Sequence, residues 1–108
     1  MGVDLSCFPG SVLLCSVSGT VTKHGYCYRD DPMWRYVEVT DSGGLRHRYF
    51  YVEPLARIGA SVSVDDAIGV AQDITLRYPG QGMTPHIHYE VKTASGRYID
   101  PGSLLSVE

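Results

Sequence analysis

The stretch MTPHIHYEV, residues 83–91, sets two imidazoles and a carboxylate at alternate positions: His86, His88 and Glu90. In an extended strand successive side chains point to opposite faces, so these three share one side while Ile87, Tyr89 and Val91 share the other, at about 7 Å intervals along the strand. With the apolar side on a core, the polar side lines a groove or faces water. Neutral imidazole is a common zinc ligand, and a neighbouring imidazole or carboxylate on the same face can accept a proton or orient a ligand. The same pattern also describes a solvated strand face. Partners elsewhere in the chain decide between the two.

The elements that must carry such a site read as short strands. Twelve Gly and six Pro punctuate the 108 residues into segments rich in Val, Ile, Thr and Tyr, the pattern of a compact, all-β antiparallel sandwich or hybrid of short strands and hairpins with an open groove and little helix. SVLLCSVSGTVTKHG predicts two strands hinged at Gly19. WRYVEVTD, the SGG turn and LRHRYFYVE predict a hairpin across residues 34–53. HIHYEVKT predicts a last strand that turns at ASGR, with a helical turn in the tail YIDPGSLL. The only other helical signal is a weak one at Asp65 to Ala71. Asp30 and Asp31 before Pro32 mark a turn, as do the adjacent Asp65 and Asp66.

A chain of this length with 44% hydrophobic and 19% charged residues fits one domain. The net charge of -3 favours neither nucleic acid nor an anionic membrane as a partner, and no apolar run reaches the roughly 20 residues of a membrane span. No signal peptide is visible in MGVDLSCFPG. Cys7, Cys15 and Cys27 lack CxxC spacing; they read as three thiols or as one disulfide with a thiol over. His24 and His47 read as surface residues. GQG at 80–82 lacks the context of a phosphate loop, and neither Lys23 nor Lys92 sits in the tight hairpin of a lipoyl or biotinyl carrier domain.

The run TPHIHYEV…G..IDP, together with GVDL and PGSVLLCSVSGTV near the start, resembles the LytM/lysostaphin family of zinc metallopeptidases over nearly the whole chain, with LARIGASVSVDDAIGVA similar to the family's valine- and glycine-rich middle. RYPGQGMTPHIHYE and RYFYVEP look closest to a divergent branch that includes leukocyte cell-derived chemotaxin two. The resemblance implies zinc as cofactor, Asp4 and His88 as ligands, and His86 as general base or transition-state stabiliser. It implies a third ligand, a His four residues before Asp4, so residues 1–108 form a peptidase-like domain that starts one residue after it. Tyr51 stands where the family's Tyr-x-His-Leu stretch carries its other active-site His; a phenol donates to an oxyanion but is a poor base at neutral pH. Two of five expected positions are thus absent or altered. The implied function is a degenerate peptidase-fold domain that binds cell-wall peptide or a protein partner, outside the cytoplasm; the alternative is an active zinc endopeptidase cutting peptidoglycan peptide cross-links.

Overall fold

A computed structural model describes residues 2–100. All strand pairings are antiparallel and form two sheets. The larger is ordered β1 (Val3–Ser6), β9 (His86–Lys92), β5 (Arg46–Phe50), β4 (Asp31–Asp41), β3 (Gly19–Tyr28) and β7 (Ser61–Val62), with β10 (Tyr98–Ile99) also on β9. The smaller joins β2 (Val12–Leu14), β8 (Ala67–Ala71) and β6 (Val52–Pro54). One 3-10 turn, Ile74–Arg77, is the only helical segment among the described residues.

The core lies between the sheets and is built by alternation. Val37 and Val39 of β4, Tyr49 of β5, and Ile87, Tyr89 and Val91 of β9 meet Val52, Ile68 and Ala71 from the small sheet. Val37, Val39, Val52, Ile68 and Val91 have no exposed surface, and each such side chain contributes about 1.5–3 kcal/mol by leaving water. β-branched residues suit this pleated, half-buried surface. The other face of the large sheet therefore carries the chemistry.

The hairpin of β4 and β5 forms as expected, but LRHRYFYVE is not one strand. Tyr51 adopts φ of 68°, a left-handed conformation costly for an aromatic residue, and the break sends β6 into the second sheet. Two backbone bonds hold it: Tyr51 N–H donates to the Arg35 carbonyl (2.8 Å), and Gln72 N–H donates to that of Tyr51 (2.8 Å). The hinge between the first predicted strands spans residues 15–18, and Gly19 begins β3. The weak helical signal at Asp65 to Ala71 resolves as a turn followed by β8: Asp65 has φ of 73°, Asp66 accepts from Ser63 N–H at 2.7 Å, and the apolar residues that follow bury into the small sheet. The tail beyond Asp100 lies outside the described residues.

His47 is not a surface residue. It is 2% exposed, with Nε2 2.9 Å from Asp41 Oδ2 and Nδ1 2.6 Å from the Tyr89 hydroxyl. His24 is half-buried with Nε2 2.7 Å from the Ala56 carbonyl. The three cysteines are free; burial pushes the Cys27 thiol up to about 11.

Two carboxylates brace the sheet and set its response to acid. Burial alone raises the Glu38 carboxyl, but hydrogen bonds from Arg48 (2.8 Å) and Thr22 (2.8 Å) outweigh it and hold it below its ordinary 4.5. Burial likewise raises Asp41, and His47 with the Leu45 and Gly43 N–H groups bring it below 3.8. A depressed folded value means that the unfolded chain binds the proton more readily, so the stabilisation is present above the ordinary values and lost as pH falls through the folded ones. The unfolding midpoint measured by circular dichroism is expected to stay level from pH 7 to about 5 and fall below about 4.5. Glu38→Gln/Asp41→Asn should lower the midpoint at neutral pH and flatten the acid limb; an unchanged limb would reject this assignment.

Candidate functional site

β1 and β9 pair in the register Asp4↔His88 and Ser6↔His86, which sets residues 84 positions apart on one face of the large sheet. His88 Nδ1 lies 2.7 Å from Asp4 Oδ1, and His86 Nε2 lies 3.9 Å from Asp4 Oδ2. Of the four residues expected to form the site, Asp4, His86 and His88 meet here. Tyr51 joins from the break after β5: its ring stands edge-on to the His86 ring, 5.7 Å between centroids.

The strand alternation foreseen for HIHYE holds, with Ile87, Tyr89 and Val91 buried and His86, His88 and Glu90 on the open face. Each imidazole is fixed by a second contact. His86 Nδ1 donates to the Thr84 carbonyl at 2.8 Å, which leaves Nε2 as the basic nitrogen facing Asp4. His88 Nε2 reaches Glu90 Oε1 at 3.1 Å, an orienting carboxylate two residues on. Gly2 is required next to them: a Cβ there would stand 2.5 Å from the Tyr89 carbonyl oxygen and 2.7 Å from His88 Nε2.

Burial pushes the Tyr51 phenol up, against the neighbouring Tyr28 hydroxyl, which lowers it, so it remains a neutral donor and no base. Behind it is a cluster that sequence reasoning missed. The Tyr28 hydroxyl bonds that of Tyr78 at 2.8 Å, the Arg77 guanidinium lies 3.7 Å over the Tyr28 ring, and Arg77 is tied to Asp31 at 2.7 Å. The hydrogen bond from Tyr28, then that from Arg77, pulls the Tyr78 phenol down. These residues come from the end of β3, the start of β4 and the 3-10 turn, a convergence that no spacing announces. The segment after that turn supplies the other wall: a groove of about 390 Å³ is lined by Asp4, Ser6, Gln81, Met83, Thr84 and His86.

Among the described residues, Asp4 and His88 are the two candidate metal donors. Asp4, with its side chain 62% exposed, and His88 are close enough to share a cation. A zinc centre takes three or four protein donors, and the described residues contain no group of three that could hold a metal ion. The two donors alone do not make a zinc site.

A two-sheet antiparallel fold with an Asp and a His-x-His strand paired across its open face has the architecture of the M23, or LytM/lysostaphin-type, peptidases. Among solved structures the chain is similar to the catalytic domain of EnpA, a prophage-encoded M23 protein from Enterococcus faecalis, with a TM-score of 0.71 and 18% identity over 94% of this chain and 75% of that one. It is also similar to lysostaphin, the antimicrobial peptidase of Staphylococcus simulans (TM-score 0.76, 20% identity, 96% of this chain), and spans 42% of that protein. A chain of the SpoIIIAH–SpoIIQ complex matches with a TM-score of 0.67 and 27% identity over 96% of this chain and 70% of its own length. No family model and no curated protein matches the sequence. The likeness establishes the fold.

Proposed function

We propose that residues 1–108 form one peptidase-like domain whose groove at Asp4, His86 and His88 binds cell-wall peptide or a protein partner outside the cytoplasm, without efficient cleavage. The observation that carries this is the 2.7 Å meeting of Asp4 and His88 across 84 residues, beside an open groove. The similar structures point both ways in their partners: lysostaphin is an antimicrobial peptidase, and SpoIIQ is found in complex with SpoIIIAH. No described helix is long and apolar enough to cross a membrane. The stretch RYPGQGMTPHIHYE supports placement in the divergent branch that includes leukocyte cell-derived chemotaxin two.

The test is co-sedimentation with purified cross-linked peptidoglycan. The chain is expected to pellet with the wall material, and Asp4→Ala and His86→Ala to weaken that binding about tenfold, with no new peptide ends released. Equal pelleting by both variants would reject the groove as the binding surface.

A second reading is favoured by the fixed tautomer of His86 and the neutral Tyr51 phenol. With a third donor present, Asp4 and His88 would hold zinc, which would supply an acidified water; His86 Nε2 would stand as a proton acceptor and Tyr51 as a hydrogen-bond donor to an oxyanion. In this reading the protein is a zinc endopeptidase that cleaves peptidoglycan cross-links.

A further inference from the structure

We infer that the outer edge of β1 is a docking edge for an extended L-peptide segment of a partner protein, which adds to the large sheet as a further strand and seats one apolar side chain in the recess at Phe8. The inference rests on the partner-binding reading of the groove, which β1 borders.

The backbone geometry carries it. Cys7 N–H donates to the Pro85 carbonyl at 3.2 Å, so in the register of β1 on β9 the pairs at Cys7, Leu5 and Val3 are the hydrogen-bonded ones, and those at Asp4 and Ser6 are not. The N–H and C=O groups of Asp4 and Ser6 therefore point away from β9. β1 is the end strand of the sheet, and among the described residues no hydrogen bond is made to those four groups. Such a row of unpaired donors and acceptors is a template for another strand.

Beside it is a recess of about 280 Å³ lined by Ser6, Cys7, Phe8, Thr84 and Pro85. Its walls are mostly apolar; Phe8 is 83% exposed and Leu5 43%. It shares Ser6 and Thr84 with the groove at Asp4 and His86, so one extended segment can pair with β1, fill the recess and present its next residues to the groove. Main-chain pairing supplies affinity in this mode, and the pocket supplies selectivity. The alternation of bonded residues demands a regular backbone of a single hand, which an L-peptide segment has.

The probe is a random library of linear L-heptapeptides displayed on phage, selected on the full chain, with enriched sequences resynthesised. Enriched peptides are expected to share one large apolar residue. N-methylation along the peptide should weaken binding about tenfold at every second residue and about twofold or less between them. Ser6→Pro removes one outward N–H without touching the β9 ladder, a position where an edge strand tolerates proline, and should weaken binding at least about tenfold. Phe8→Asp, at an exposed site, should do the same by spoiling the recess. Peptidoglycan pelleting by Phe8→Asp, at a residue that lines the recess and not the groove, should stay within about twofold of the parent, so loss of wall binding and loss of strand binding are read separately. The inference is overturned if no peptide enriches, if N-methylation shows no two-residue period, or if an all-D copy binds as well.

Discussion

Adding a histidine directly before Met1 is expected to raise the affinity for zinc by a hundredfold to a thousandfold. Structural zinc sites in small domains are worth roughly 10–16 kcal/mol over four ligands, about 2.5–4 kcal/mol per donor, and each 1.4 kcal/mol is a factor of ten. Asp4 and His88 already stand 2.7 Å apart, with Glu90 orienting His88 and Gly2 leaving the space beside His88 free of a side chain. The added donor would join a carboxylate and an imidazole that already face each other. Competition against a chelator of known affinity measures the change. Asp4→Ala in the extended chain should remove most of it, while His86→Ala, which spares both donors, should leave affinity within about tenfold. An extended chain that binds zinc no better than the parent would sink the metal reading of Asp4 and His88. The same chain separates the two functional readings: new peptide ends from cross-linked peptidoglycan, abolished by His86→Ala, would replace the binding-only reading with the peptidase. Cleavage is expected to remain slow, because Tyr51 is a neutral donor and takes no proton.

The parts of the site that could be read from sequence are those governed by local period. His86, His88 and Glu90 fall on one face because a strand alternates, and the buried Ile87, Tyr89 and Val91 confirm it. The hairpin of β4 and β5 followed from its SGG turn. Asp4 was reachable only through the resemblance to the peptidase family, since a pairing 84 residues apart leaves no trace in composition or periodicity. Tyr51 shows the opposite limit: RYFYVE is an unbroken run of strand-forming residues, and no Gly or Asn marks the residue that turns left-handed. Its conformation is imposed by the bonds to Arg35 and Gln72, which are tertiary. At Asp65 to Ala71 the apolar spacing of a short segment fits helix and buried strand equally, and the small sheet decides.

Replacing His47 is expected to cost the fold about 3–4 kcal/mol. In LRHRY, Leu45, His47 and Tyr49 share one parity and the two arginines hold the other, and the structure follows that alternation, with His47 and Tyr49 in the core and Arg46 and Arg48 on the opposite face. The imidazole then links three elements. Asp41 Oδ1 also accepts from the Gly43 and Leu45 N–H groups (2.9 and 3.0 Å), so His47 ties the hairpin turn to Tyr89, the residue between His88 and Glu90 on β9. His47→Leu fills most of the volume but strands the buried Tyr89 hydroxyl and one oxygen of Asp41. Removing one partner of a buried bond costs more than removing both, so His47→Leu/Tyr89→Phe should lose about 1–2 kcal/mol less than the sum of the single changes. Urea unfolding of the four chains measures this coupling. Strict additivity would mean that the 2.6 Å contact contributes nothing, and that the strand carrying His86 and His88 is held in place by its apolar face and its backbone ladders to β1, β5 and β10.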